Sequence, residues 1–522
     1  MSQQQNVLGY NNPSAYRLIN VVISNNEGQQ YDVTDLVDSF EISESIYDIF
    51  LQGSITLADN VNIFNRIMFT GQEYIRIHFC GMVGNDEEEE ELDHINQVFR
   101  VYELASYLRD NQGDLNKTVY GLRFCSPLMY EAQTKRISQH FSGTNGQIIN
   151  QIFKDHLFFP SETEQKQLNN TDENSLKPLV KGGKELGTYF SVMSGTVGET
   201  HAFLCPNWTV NKTLRYLRDH TSDPTEESMP YGDSYYLYQT CTKGFRYHNI
   251  TSMKTLKYLD GGYKFEIRDS SPNIMLNREN KQSMKWDILD YNKINMYNTL
   301  KNHKRGLYSA SVNNYNTVTK QLTTIDNEFT QQFKMDESET GKYTDAQISV
   351  GAPFRLGAES IRIPNDGGFI HGEVAETAPV GFKSDPITKR YGSAVDFDYD
   401  SPHKMSDTVV ADESISDASI SNGAVNVKLN RERVEALFAT NRINMQIAGR
   451  TDLSCGMMID VNITQTSIGK TGDELTHNGS LLIEGITWTG SIAHGLEMQL
   501  SCTSDGFNII PDTFEQPERE DV

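Results

Sequence analysis

Apolar and polar residues alternate in runs near both ends of this chain and only sparsely between them, and that pattern constrains the fold most. A period of two puts successive side chains on opposite faces of a strand, so each run describes a sheet with one face in a core. Near the start, Ile19-Asn20-Val21-Val22-Ile23 runs into a polar turn at Asn25-Asn26-Glu27-Gly28. From Phe40 to Leu57, the apolar Ile42, Ile46, Ile55 and Leu57 stand among polar neighbours, with Gly53 as punctuation. Tyr74 to Phe79 alternates cleanly, and Gln97 to Leu104 and Val119 to Phe124 read as further strands. The far end repeats the pattern in Met457 to Ile463, Leu481 to Trp488 and Leu496 to Cys502. Asn478-Gly479 there is a strong hairpin dipeptide. The 25 Tyr and 24 Phe add to this, since aromatic side chains suit a pleated, half-buried surface. The expected class is mainly β with α+β segments: two antiparallel barrels flanking helical and irregular connections.

Helical spacing appears in between. Val61, Phe64, Ile67 and Met68 fit a short amphipathic helix. After Pro127, Ile148, Ile149, Ile152 and Phe153 mark a helix with Thr144 or Asn145 as its cap, and Val210, Leu214 and Leu217 mark another. Ser161 to Lys177 is polar and reads as a loop. Tyr235-Tyr236-Leu237-Tyr238 and Phe245-Arg246-Tyr247 form a hairpin around Lys243-Gly244, with Tyr236 and Tyr238 on one face and Tyr235 and Leu237 on the other. Trp286, Leu289, Ile294 and Tyr297 predict a helix or a mixed segment over 284–300. From Asn302 to Ser421 the chain is polar, with a short strand at Ile361-Arg362-Ile363 and a linker from Ser401 to Gly423. Val434, Leu437, Phe438 and Ile443 return to helical spacing. The expected units are 1–128, a first barrel; 129–230, an α+β connection; 231–300, the first part of a second barrel with an adjoining helix; 301–430, a polar insertion; 431–510, the rest of the second barrel; and 511–522, a tail.

Length and charge narrow the function. At 522 residues, the chain has room for about three or four domains of ~150 residues. The formal net charge of −24 argues against a surface built to neutralise phosphates. No basic and apolar leader follows Met1-Ser2-Gln3-Gln4-Gln5, and no apolar run is long enough to cross a bilayer as a helix. Cys80, Cys125, Cys205, Cys241, Cys455 and Cys502 include no C-x-x-C pair and read as free thiols of a reducing cytoplasm.

Catalytic motifs are missing: there is no phosphate-binding G-x-x-x-x-G-K-[ST] loop, no H-E-x-x-H and no G-x-S-x-G. Asp155-His156 and Asp219-His220 read as surface or capping residues at helix ends. Cys241 with His248 lacks a second ligand pair at zinc spacing, so a structural thiol and an exposed imidazole are expected; His477 beside a turn is expected to be exposed too. The acidic run Asp86, Glu87, Glu88, Glu89, Glu90 and Glu91 lacks the spaced ligands and bend-forming glycine of a calcium loop, and reads as an exposed hairpin tip. No enzyme, cofactor or metal is expected.

Three stretches carry a resemblance. Phe40 to Ile46 with Leu51 to Asp59 and Gly71-Gln72-Glu73 resembles the opening barrel of the central hub proteins of contractile-phage baseplates. Pro206-Asn207-Trp208-Thr209, its helix and the Tyr-rich hairpin resemble that family's second domain, and Arg431 to Ile443 followed by Ile447 to Met457 resembles its closing barrel. The resemblance implies two tail-tube-like barrels, at about Val7 to Phe124 and at Tyr231 to Arg268 plus Arg431 to Phe507. It implies a structural virion protein: a homotrimeric baseplate hub that fits a sixfold tail tube to a threefold central spike and leaves a channel for DNA ejection. Its partners would be copies of itself, the tail tube protein, the central spike protein and other baseplate proteins, with DNA only in transit. Its place would be the virion tail, after assembly in the host cytoplasm. An acidic wall would then repel passing phosphates. A spike-base protein of a secretion or other contractile injection system is the nearest alternative, with a tail-borne cell-wall hydrolase or a receptor-binding module behind it.

Overall fold

The computed structural model describes residues 5–7, 14–25, 28–85, 88–109, 118–157, 190–192, 201–221, 234–250, 253, 264–266, 288–295, 309–315, 322–328, 364–365, 368–369, 387–389, 431, 435, 438, 442–462, 464–467, 470–473 and 479–503. Within them the chain is mainly antiparallel β, as its alternation requires.

The first set of strands comprises β1 (Gln5–Val7), β2 (Tyr16–Ser24), β3 (Gln30–Asp32), β4 (Val37–Ser45), β5 (Gln52–Asp59), β6 (Tyr74–Asn85), β7 (Glu88–Arg109) and β8 (Thr118–Cys125). Helix α1 (Ile63–Ile67) crosses from β5 towards β6. Asp59 fixes its entry by accepting the backbone N–H groups of Val61 at 3.0 Å and Phe64 at 2.8 Å. The turn into β6 explains Gly71-Gln72-Glu73. Glu73 is buried, and its carboxylate accepts from the backbone N–H of Thr70 (2.6 Å), Gly71 (2.9 Å) and Gln72 (3.1 Å) and from the Thr70 hydroxyl (3.0 Å). Gly71 adopts φ +81°, which favours glycine.

A helical body follows: α2 (Pro127–Thr134), α3 (Asn145–Ile152) and α4 (Val210–Asp219). Pro127 at the start of α2 costs no helical hydrogen bond there. Thr144 and Gln147 form a reciprocal capping box on α3, and Thr209 caps α4 through the Lys212 N–H. These helices pack on a three-stranded sheet in which β9 (Phe190–Val192) runs parallel to β11 (Gly244–Asn249), itself paired with β10 (Tyr235–Thr240). The β10–β11 hairpin is loaded on both faces. Tyr235, Leu237, Phe245 and Tyr247 join the core of the helical body, whereas Tyr236 and Tyr238 join the core of the large sheet.

That large sheet has fourteen strands. Besides the first set it contains β12 (Lys264–Glu266), β13 (Ile288–Asn295), β14 (Arg442–Ala448), β15 (Met458–Asn462), β16 (Gly479–Ser491) and β17 (Gly495–Thr503). The hydrogen-bonded order is β1-β2-β6-β7-β8-β5-β4-β16-β17-β14-β13, with β3 on β2, β15 on β16 and β12 on β15. Of the strands between 231 and 300, β12 and β13 therefore belong to this sheet, and the Tyr-rich hairpin does not. Residues 288–295 are a strand where helical spacing was expected: β13 is an edge strand with two register shifts, Ile288 is buried and Leu289 is 46% exposed. Gly479 opens β16 instead of turning a tight hairpin; the turn between β16 and β17 lies at Ile492–His494 and closes on Gly495 at φ +81°. Asn478, His477, 161–177, 361–363 and 401–423 lie outside the described residues.

Candidate functional site at the junction of the two strand sets

The alternation carried by each strand set leaves β4 and β16 as the strands through which the sets meet. They pair antiparallel from Ser39↔Ser491 to Ser45↔Gly485, making one sheet of strands far apart in sequence. The apolar faces explain the register: Phe40 and Ile42 on β4 and Ile486 and Trp488 on β16 are all buried. Gly490 is required by close approach, since a Cβ there would lie 2.3 Å from the Phe40 ring. Trp488 donates its indole N–H to the Arg450 carbonyl at 2.9 Å, and Arg450 forms an ion pair with Asp452 at 2.6 Å.

Two carboxylates are buried at this junction. Glu484, at a register shift in β16, accepts from Arg442 (2.6 and 3.1 Å) and from the Tyr47 hydroxyl (2.5 Å). Burial and the neighbouring Glu484 push the Tyr47 hydroxyl well above the ordinary tyrosine range. Glu44, on β4, has a different environment. Its carboxylate accepts the backbone N–H of Cys241 in the β10–β11 turn at 2.8 Å and that of Cys455 in the 449–457 loop at 2.7 Å. The Cys455 thiol points to the Glu44 carbonyl at 3.3 Å. Burial pushes the Glu44 carboxyl up to about 7 against the downward pull of those two N–H groups. The same burial, with Glu44 nearby, holds the Cys241 and Cys455 thiols well above their usual range, so both stay protonated.

A second feature is an exposed apolar surface. On β7, Tyr102, Leu104, Tyr107 and Leu108 are 42%, 42%, 45% and 69% exposed. Beside them Val61 and Met68 flank α1, and Phe64 packs on Tyr107 with ring centroids 4.9 Å apart. Asn62 and Met68 both hold positive φ (63° and 52°), a strained backbone for residues other than glycine. Beyond Arg100, β7 pairs with β8 on one side only among the described residues.

The residues singled out from sequence sit elsewhere. Glu88, Glu89, Glu90 and Glu91 belong to β7 and pair back to β6, while Asp86 and Glu87 fall outside the described residues. Asp155 and His156 lie in a short π-helical turn after α3, and burial lowers the His156 pKa. His220 caps α4, with Nδ1 2.7 Å from the Tyr216 carbonyl oxygen. His248 corrects the expectation of an exposed imidazole: it faces Tyr236 across the hairpin and is fully buried, with both ring nitrogens unbonded. That burial brings it down to about 4. Among the described residues, no three His, Cys, Asp or Glu side chains gather as metal ligands, and no helix is long and apolar enough to cross a membrane.

No family model and no curated protein matches the chain. Solved structures similar to it include a tail protein of Neisseria meningitidis, at 7% identity and a TM-score of 0.44, covering 94% of this chain and 97% of that one. The 43 kDa tail protein of prophage MuSo2 from Shewanella oneidensis matches at 8% identity and a TM-score of 0.45, covering 92% and 97%. An Escherichia coli component of the type VI secretion system, described as similar to T4 tail proteins, matches at 8% identity and a TM-score of 0.33, covering 89% and 73%. At these scores the likenesses carry no functional weight.

Proposed function

We propose that this chain is a structural, non-catalytic protein of a contractile phage-tail baseplate, a hub subunit that forms a homotrimer between the sixfold tail tube and the threefold central spike. The observation that carries the reading is the β4–β16 ladder, which sets two strand sets edge to edge in one chain. Three such chains offer six strand sets, so a closed ring is threefold in its chains and sixfold in its sheets. The sequence resemblance in both strand sets supports the same reading. The exposed apolar surface of α1 and β7 is of the kind that a neighbouring subunit covers. The net charge of −24 suits a channel through which DNA passes without adhering.

The test is light scattering on a size-exclusion column, on the chain alone and mixed with the tube and spike proteins of the same tail. Three chains per particle, in either sample, are expected. A stable dimer, or a chain that stays monomeric and unbound in the mixture, overturns the proposal.

A further inference from the structure

Three buried glutamates allow an internal comparison. Glu73 receives four hydrogen bonds from its own turn, and Glu484 faces the Arg442 guanidinium and a tyrosine hydroxyl. Glu44 has only two amide N–H donors at its oxygens and no ion pair among the described residues. It is also the one glutamate whose acceptors join three distant segments: β4, the β10–β11 turn and the loop before β15. Thr242 and Ser454, next to the two cysteines, clasp each other at 2.8 Å. Opening this point would therefore separate the hairpin wall of the helical body from both strand sets.

The groups facing Glu44 are few. Cys241 and Lys243 come from the turn, Tyr238 from β10 and Cys455 from the loop. Lys243 is shared with Asp93 and Asp452. Both thiols are within hydrogen-bonding reach of the carboxyl. In the neutral acid, each oxygen retains a lone pair for its amide N–H while the hydroxyl proton turns to a thiol sulfur, so every contact survives protonation. In the carboxylate, a full charge sits in a fully buried site with two amide donors and no cation, and water competes for it.

We propose that Glu44 is a proton-operated clasp: uncharged, it locks the Cys241 turn and the Cys455 loop onto β4, and ionised, it promotes an opening of the junction that lets water reach the carboxylate. The upward displacement of its titration, caused by burial, sets the working range between the ordinary carboxylate value and about 7. Across that range the opening equilibrium rises roughly tenfold per pH unit and then levels off.

The test is hydrogen–deuterium exchange on the full wild-type chain at matched intrinsic exchange, from about pH 5 to about pH 8. Peptides containing Cys241 and Cys455 are expected to lose protection together as pH rises to about neutrality, while Glu73 peptides do not follow. The Glu44→Gln variant is expected to lose that pH dependence. Protection in the wild-type chain that is flat with pH, or that increases with pH, overturns the proposal whether or not the variant folds. A variant that folds and keeps the wild-type pH dependence overturns it equally.

Discussion

Gly490 and Gly485 both lie on β16 opposite β4, and substituting each by alanine separates steric fit from backbone entropy. A Cβ on Gly490 would lie 2.3 Å from two carbons of the Phe40 ring. That ring cannot swing aside, because Phe40 is 1% exposed and packs on Tyr16 (6.1 Å between centroids) and Phe79 (4.9 Å). A Cβ on Gly485 would meet its nearest atoms at 3.6 and 3.7 Å, which is ordinary contact. Neither glycine is at positive φ, so the backbone accepts alanine at both. Alanine restricts the unfolded chain and contributes about 0.4–1 kcal/mol where it fits. Overpacking costs about 1–3 kcal/mol. Gly485→Ala is therefore expected to be neutral or stabilising by up to ~1 kcal/mol, and Gly490→Ala to destabilise by roughly 0–2.5 kcal/mol after the entropic offset. Urea unfolding followed by tryptophan fluorescence reads both, since Trp488 sits beside Gly490. The reasoning fails if Gly485→Ala is the more damaging of the two, or if Gly490→Ala stabilises.

Two further outcomes test the buried charges. Arg442→Met leaves Glu484, 3% exposed in its side chain, without its cation, and is expected to cost about 3–5 kcal/mol in the same urea assay; a loss below ~1 kcal/mol refutes the pairing. His248 and Glu44 have opposite linkage signs. The folded-state value of His248 is depressed from 6.5 to about 4, so its contribution is present above about 6.5 and lost as pH falls towards 4. That of Glu44 is raised from 4.5 to about 7, so its contribution is present below about 4.5 and lost as pH rises towards 7. Each slope is about 1.4 kcal/mol per pH unit, and in the wild type they offset between about pH 4.5 and 6.5. His248→Leu is expected to lose stability as pH rises through that window and Glu44→Gln to gain it; urea midpoints that move in parallel in the two variants contradict the assignment.

Much of this was legible in particular residues. Alternation in 40–46 gave β4, and the same alternation marks Glu44: it occupies the face of Phe40, Ile42 and Ile46, where a charge has no business unless it is bonded. Glu484, among Leu482, Ile486 and Trp488, carries the same signal, though a register shift blurs its phase. The partners of these carboxylates were not legible, because Cys241 and Cys455 reach Glu44 only through tertiary contacts 197 and 411 residues away. The pairing of β4 with β16 was hidden for the same reason: alternation says which face is buried, never which strand lies alongside. Residues 288–295 misled by position, since an edge strand with an exposed leucine mimics helical spacing. His248 misled by composition, because a histidine with neither nitrogen bonded is normally in water.

The β4–β16 ladder also has a consequence in time. Tyr47 and the Glu484 it bonds are separated by 437 residues. During synthesis at ~5–20 residues per second, β4 waits on the order of tens of seconds before its partner strand exists. Until then one of its backbone edges and the core face of Phe40 and Ile42 have no native cover from β16, in a cell crowded with nascent copies. Strand edges left open in this way recruit one another. Yield of the intact protein should therefore depend on translation speed and chaperone supply more than the final stability of the sheet would imply.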